Sequence, residues 1–460
     1  MASDSPNTTC AVSRGTRGSH DAGETDRMGI PVVVRSHSGD YGEGGASPVR
    51  TRFVLPFLML WALLGCGGTF ASDLALVGAK IYLSPTEQPI EHGSILVRNG
   101  RIDAVGPSAT VRIPRGTPTV DCTGLIITAG FWNSHVHLIL PGLLHAEKLS
   151  SEQLSAQLEE MLTHWGFTSV FDIASVLENT NIIRRRMESG EVRGPRILTT
   201  GEPFWVRTPI YIREFLDTNH IAMPEIHSKE QAATRVPQQI HDGADGIKIF
   251  ASSIERDEIL TMPLDMATSI VGEAHAAHKL VFAHVSNDEG NEVAMQSGVD
   301  ILAHTTPSGS VWSDTFVKRL NATHTAVIPT LTLWDVEAKK DGASSEVAEK
   351  WMDKAIQQLR RFSESGGEVL FGTDVGYIER FDTTEEFALM SRAGLSFQQI
   401  LASLTTNPAQ RFGAASRLGR IGRGMEADLT VLSADPAQEA RAFAKVRYTI
   451  VRGKVMYARR

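Results

Sequence analysis

From about Ala129 to Gly376 short apolar runs of strand character alternate, eight times, with longer amphipathic runs of helical character. The strand candidates are AGFWNSHVHL, FTSVFDIA, PRILTTG, ADGIKIFAS, LVFAHV, VDILAHT, AVIPTLTLW and EVLFGTDVG. Between them lie helical runs such as SSEQLSAQLEEMLTHWG, PLDMATSIVGEAHAAHK and SEVAEKWMDKAIQQLRRFSESGG. Parallel strands need long crossovers, so this alternation predicts a parallel sheet covered by helices. Eight such units in under about three hundred residues predict an α/β fold closed as a (β/α)8 TIM barrel, not an open doubly wound sheet. No GxGxxG follows the first strand and no P-loop occurs, which removes the commonest nucleotide-binding readings.

The flanks read differently. Residues 74–128 break into LALVGAKIYL, GSILVRNGRIDAVG and PTVDCTGLIIT, with Asn99-Gly100 between two alternating apolar runs, a strong hairpin signal. The end of the chain repeats the style in GMEADLTVLSAD and AKVRYTIVRGKVMYA. A small β-sandwich built from 72–127 plus 414–460, around a barrel over 128–413, is the predicted organisation. A chain of 460 residues is long enough for both.

Residues 1–49 are rich in Ser, Gly, Arg and Asp without apolar periodicity, so this extension is expected to be disordered. Residues 50–71 then pair the basic Arg50-Thr51-Arg52 with the apolar run from Phe53 to Leu64, as in a secretory signal. Leu63-Leu64-Gly65-Cys66 resembles a bacterial lipobox that would lipidate Cys66. Cleavage after Thr69-Phe70-Ala71, or an uncleaved anchor over 53–71, are the alternatives. Each predicts an exported, extracytoplasmic body, with membrane anchoring through Cys66 or residues 53–71 in two of them. Only Cys122 of the three cysteines lies in that body, which excludes an internal disulfide and a thiolate-rich zinc site. A formal net charge of −8 argues against nucleic acid as a partner and leaves a small-molecule substrate.

Polar residues of one chemical kind recur at the strand ends. His135 and His137 end the first strand, Lys248 lies on the fourth, and His284, His304 and Asp374 end the fifth, sixth and eighth. Side chains alternate along a strand, so His135 and His137 face one way, and Lys248 faces opposite to Ile247 and Ile249, into the barrel. Imidazole and carboxylate suit Zn²⁺, with Mn²⁺, Co²⁺ and Fe²⁺ also compatible. An ammonium has no lone pair, but a buried lysine beside cations should lose its proton. Reaction with CO₂ would make Lys248 a carbamate able to bridge two divalent metal ions. A hydroxide held between them becomes a nucleophile at neutral pH, and Asp374 can move its proton to the leaving group.

The set GFWNSHVHL, GIKIF, AHV, AHTT and FGTDVG resembles the amidohydrolase superfamily, in its binuclear branch with a carboxylated lysine. The tail LTTNPAQRFGAASRLGRIGRGMEADLTVLSADP resembles imidazolonepropionase-like amidohydrolases and their prolidase-like relatives. The resemblance runs from about Leu74 to Tyr457. It implies one metal on His135, His137 and Asp374, a second on His284 and His304, and Lys248 between them. Asp374 and His304 are the candidate catalytic residues. The family's usual PGFID opening reads here as Ala129-Gly130-Phe131-Trp132-Asn133-Ser134. Imidazolonepropionase itself resembles a mononuclear version without the bridging lysine, so Lys248 speaks against that activity. The expected function is hydrolysis of an amide-type C–N bond other than a peptide bond. The alternatives are an Xaa-Pro or Xaa-Arg dipeptidase, a lactonase or esterase on the same site, or a non-catalytic scaffold. All six ligand positions are filled, which disfavours the scaffold.

The remaining candidates carry weaker spacing. Trp205, Arg207, Tyr211 and Arg213 lie in a long connection after the third strand, where substrate loops often sit. Tyr377, Thr305, Thr330 and Thr332 lie near strand ends. His275 and His278 are one helical turn apart but point away from the strand ends, so packing or surface roles are expected. His145, His164 and His220 have no usable spacing.

Overall fold

The structure, a computed structural model, describes residues 73–255, 258–340 and 342–459. The expected extension at 1–49, the targeting segment at 50–71, Cys10 and Cys66 lie outside the described residues. Among the described residues no helix is long and apolar enough to cross a membrane.

Both chain ends build one sheet of eight strands. Leu74–Ile81 pairs with Ile90–Arg98 on one side. On its other side it pairs in parallel with Thr119–Asp121 and Ile126–Ala129. Ile126–Ala129 in turn pairs antiparallel with Leu429–Leu432, which continues to Val446–Val451 and Lys454–Ala458. The pairing is a single continuous sheet, not two separate facing ones. Its strands still enclose one core, in which Leu76, Ile95 and Val97 pack with Ile127, Val431 and Ile450. The hairpin at Asn99-Gly100 has positive φ at both residues (49° and 72°), and Arg452-Gly453 repeats it at 49° and 74°.

At Gly130 the chain passes from this sheet into the central body. A Cβ there would come within 2.2 Å of Thr168 Oγ1, so only glycine lets the two layers approach. Phe131–Val136, Phe167–Asp172 and Arg196–Thr199 form a parallel three-stranded sheet. Gly246–Phe250, Leu280–His284, Ile301–Leu302 and Ala326–Val327 form a parallel four-stranded one. Backbone hydrogen bonds run between the two. Asp245 N donates to Thr199 O at 2.6 Å, and Phe204 N to Lys248 O at 2.8 Å. On the other side residues 369–375 bridge them, Leu370 N donating to Val327 O at 3.0 Å and Ser134 N to Phe371 O at 2.7 Å.

Two expected strands come out differently. EVLFGTDVG is not a regular strand and pairs only through bridges at Val369 and Val375. Asp374 has φ +63° and Gly376 φ +104°, and neither value fits a strand. AVIPTLTLW keeps strand pairing only at Ala326–Val327, and Leu331–Lys340 is a helix. Pro329 cannot donate to a ladder. The Glu386 carboxylate takes the free amides of Leu331 and Thr332 at 2.8 and 2.7 Å, which caps the helix instead.

The covering helices start where the sequence says they should. Ser150 and Ser396 form capping boxes with Gln153 and Gln399, and Ser313 and Ser344 cap by side chain alone. Two insertions stand at the end of the strands that carries the histidines. One contains the helix Ile210–Thr218, and the other is the hairpin Ser252–Glu255 with Glu258–Thr261.

Candidate metal centre

The strands bring the expected ligands to one place. His135 and His137 stand where Phe131–Val136 ends, and Lys248 lies in Gly246–Phe250 opposite Phe282. His284 closes its strand, His304 follows Ile301–Leu302, and Asp374 sits in the bridged segment. The rings form a chain: His137 to His135 at 5.1 Å between centroids, His135 to His304 at 4.7 Å, His304 to His284 at 4.8 Å. All six side chains are buried except His284, which is partly exposed.

The protons can be assigned from the partners. His135 Nδ1 is 3.0 Å from the Ala303 carbonyl oxygen, and His137 Nδ1 is 3.0 Å from that of Ala174. A carbonyl only accepts, so both Nδ1 atoms carry the proton and both Nε2 atoms present lone pairs. Those Nε2 atoms lie 3.2 Å from each other, and 3.1 and 2.8 Å from Asp374 Oδ1. Asp374 Oδ1 is buried without a hydrogen-bond partner. Three lone-pair atoms thus converge with no proton between them. Alone this set is repulsive; around a divalent cation it is a ligand set, oriented by the carbonyls behind it.

In the second half of the site the histidines face hydroxyls, which can donate or accept. His284 Nε2 is 3.0 Å from Ser286 Oγ and 3.4 Å from the Tyr211 hydroxyl, which leaves Nδ1 free. His304 Nδ1 is 2.8 Å from Thr330 Oγ1. Burial pushes His135 down to about 4, His284 down to about 3 and His304 well below the usual imidazole value. All three are neutral at pH 7, the form that ligates. Burial lowers the Lys248 ammonium to about 7, with Asp374 opposing part of that shift.

Backbone strain gathers here. Asp374, Thr330 and Ala174 have φ of +63°, +42° and +139°, and each either supplies a ligand atom or holds a ligand ring. At Gly376 a Cβ would stand 1.9 Å from the His137 carbonyl oxygen, so no other residue fits. Beneath them the buried Asp172 carboxylate accepts from Thr180 at 3.0 Å, Thr199 at 2.9 Å, Leu138 N at 3.2 Å and the Ser175 hydroxyl, fixing the turn after His137.

A sequence model of the amidohydrolase family matches residues 126–456. The chain belongs to the amidohydrolase family. Its membership makes it a hydrolase. It is 24% identical over 411 residues to imidazolonepropionase from Thermoplasma acidophilum, across 86% of this chain and 94% of that one. A Bifidobacterium longum structure assigned as a prolidase superposes with a TM-score of 0.71 at 25% identity, covering 85% of this chain and 97% of that one. An Xaa-Pro dipeptidase solved with methionine in its active site also gives 0.71, at 20% identity, with coverages of 84% and 100%. Both likenesses carry the fold of a barrel with a small added domain.

In this amidohydrolase a cavity of about 870 Å³ opens over the ligand cluster. Of the residues offered as substrate contacts, Trp205, Tyr211 and Tyr377 line it. Arg207 does not; it is half-exposed and faces Glu258 at 3.6 Å. Arg213 is also turned away, donating to the Thr208 carbonyl at 2.5 Å. Thr305 accepts from Trp334 Nε1 at 2.8 Å, and Thr332 donates to Glu386 at 2.8 Å, so both act from behind the wall. His275 bonds Asp300 at 2.9 Å, and His164 packs between Trp165 and Tyr457. His145, His220 and His278 are exposed.

Among the lining residues that the sequence did not point to are Ser286, Trp334, Glu337 and Lys340. Ser286 was findable, since it lies two residues beyond His284 and so on the same face. Trp334 is the last residue of the expected strand AVIPTLTLW, and Glu337 and Lys340 follow it on the helix Leu331–Lys340, which the sequence pattern does not announce.

Proposed function

We propose that the protein is an exported metal-dependent amidohydrolase that cleaves an amide-type C–N bond of a small molecule within a closed (β/α)8 barrel. The observation that carries this reading is the unprotonated meeting point of His135 Nε2, His137 Nε2 and Asp374 Oδ1. His284, His304 and Lys248 stand beside it as the set for a second ion. Two divalent ions, zinc first among those that suit the donors, would supply Lewis acidity and an activated water. Lys248 joins this set as a carbamate, its amine and CO₂ combining with loss of one proton.

The chain's own groups perform the rest. His135 and His137 keep their protons on Nδ1, turned to the carbonyls of Ala303 and Ala174, and cannot reprotonate the nucleophile. Asp374 accepts the proton of the attacking water and returns it to the departing nitrogen, so that water adds to the carbonyl carbon and the amine leaves neutral. His304, held by Thr330 and packed 6.0 Å from the Trp334 ring, faces the same space. The apolar run at 53–64 supports export, and Leu63-Leu64-Gly65-Cys66 supports a lipid anchor.

Metal analysis and amine release test the proposal together. The purified full chain, loaded with Zn²⁺, should hold about two equivalents and release amine from simple amides. One equivalent or fewer after loading with zinc, manganese or cobalt, together with no amide turnover, would overturn it.

A further inference from the structure

The cavity above the ligand cluster has two apolar walls. Trp205, Ile212 and Phe215 form the first, on the segment that carries the helix Ile210–Thr218. That segment is fastened down: Phe204 N donates to Lys248 O at 2.8 Å, Ile226 N to Trp205 O at 2.9 Å, and Trp205 packs on Phe250. Trp334 and Val336 form the facing wall, from the helix Leu331–Lys340. Tyr377 also lines the cavity, 5.9 Å from the Tyr211 ring.

The charges at the mouth are already matched. Apart from Lys248, Lys340 is the lining cation among the described residues. Its Nζ lies 3.1 Å from Glu337 Oε1 and 4.2 Å from the centre of the Tyr377 ring. Tyr377 donates to the same Glu337 oxygen at 3.1 Å. Apart from Asp374 in the ligand cluster, the other charged lining residue among the described residues is the acidic Glu379. A ligand carboxylate held at this mouth, away from the metal-ligand cluster, meets two carboxylates and a lysine that is already engaged. Removing it from water without a partner is unfavourable, whereas an apolar group gains by burial.

We infer that the substrate is a neutral amide bearing an aromatic or branched apolar group, and that compounds with a free carboxylate, such as Xaa-Pro dipeptides, are discriminated against. The inference rests on the reading of the site as an amide hydrolase and names the substrate class of that site. It places the apolar group between Trp205 and Trp334 and the scissile amide over the ligand cluster.

The test uses the metal-loaded full chain and two anilides that differ by one group. N-acetyl-phenylalanine anilide is compared with N-acetyl-phenylalanyl-4-aminobenzoate, and Phe-Pro serves as the free dipeptide. The neutral anilide should exceed the other two in kcat/KM by roughly 100-fold, the scale on which a mismatched polar group is rejected. Glu337→Gln, which frees Lys340, should narrow the gap between the anilides by roughly tenfold, one lost charge contact. Equal rates, or a faster dipeptide, would overturn the inference and leave amide hydrolysis standing. No turnover of any amide by protein holding two metal equivalents would overturn both.

Discussion

On the proposed reading, Lys248 decides how many ions the site holds. It is the one ligand candidate whose ordinary form is a cation, and it is buried. Without it, His284 and His304 keep two imidazole nitrogens but lose the anion that would tie them to the first group. Lys248→Ala should therefore lower metal content from about two equivalents toward one, and kcat by at least about a hundredfold. Elemental analysis alongside kinetics would check both. The amine also sets a pH dependence for loading. Burial lowers it from the ordinary lysine value to about 7, so the neutral amine that reacts with CO₂ dominates above pH 7 and is depleted below it. Metal-free protein given bicarbonate and zinc should accordingly regain activity fully at pH 8 and poorly at pH 6. Equal recovery at both would refute the carbamate. Thr330 acts one step further out, through its hydrogen bond to His304. Thr330→Val keeps the shape and removes that bond, and should weaken metal binding by about 10–100-fold in a chelator competition.

The helix Leu331–Lys340 connects this chemistry to the cavity. Its first two amides end on Glu386, and its side chains Trp334, Glu337 and Lys340 reach the pocket. Glu386→Gln retains one acceptor oxygen and turns an NH₂ toward the other donors, leaving a buried amide unmatched. The expected cost is about 1–3 kcal/mol, seen as a lower Tm and as faster amide exchange at Leu331 and Thr332. Exchange unchanged at those two residues would show that Glu386 does not hold the helix. The same helix marks where sequence reasoning stopped. The helices within SSEQLSAQLEEMLTHWG and SEVAEKWMDKAIQQLRRFSESGG and the strands carrying His135, Lys248 and His284 were legible because their local periodicity agrees with the tertiary fold. LTLW reads locally as β-branched and aromatic strand, but a carboxylate from Glu386, 55 residues further on, captures its amides. Asp374 was found by residue type although its backbone is not that of a strand. Arg207 was offered on loop position alone, and position in a loop does not fix where a side chain points.

At the scale of the molecule, the two chain ends and the central body meet over a buried ionic joint. Arg196, on the third central strand, reaches Glu426 at 2.5 Å and Asp428 at 3.5 Å, just ahead of the strand Leu429–Leu432. Arg417 bonds Glu426 at 2.6 Å, and the Arg452 amide donates to Asp428 at 2.7 Å. The described residues form one compact unit, so the small sheet and the central body should unfold together in a single thermal transition. Arg196→Ala would leave Asp428, whose carboxyl burial already raises above its ordinary value, without its nearest cation. Breaking a buried pair from one side costs about 3–5 kcal/mol, and the transition should move down as one event. Its pH dependence has a definite sign. A carboxyl with a raised folded-state pKa is stabilised when protonated and loses that stability as pH rises, so the deficit of Arg196→Ala should shrink on acidification toward pH 4. Calorimetry from pH 4 to 8 would read it. Two separate transitions, or a deficit that grows on acidification, would mean that the joint does not couple the small sheet to the body that carries the candidate metal ligands.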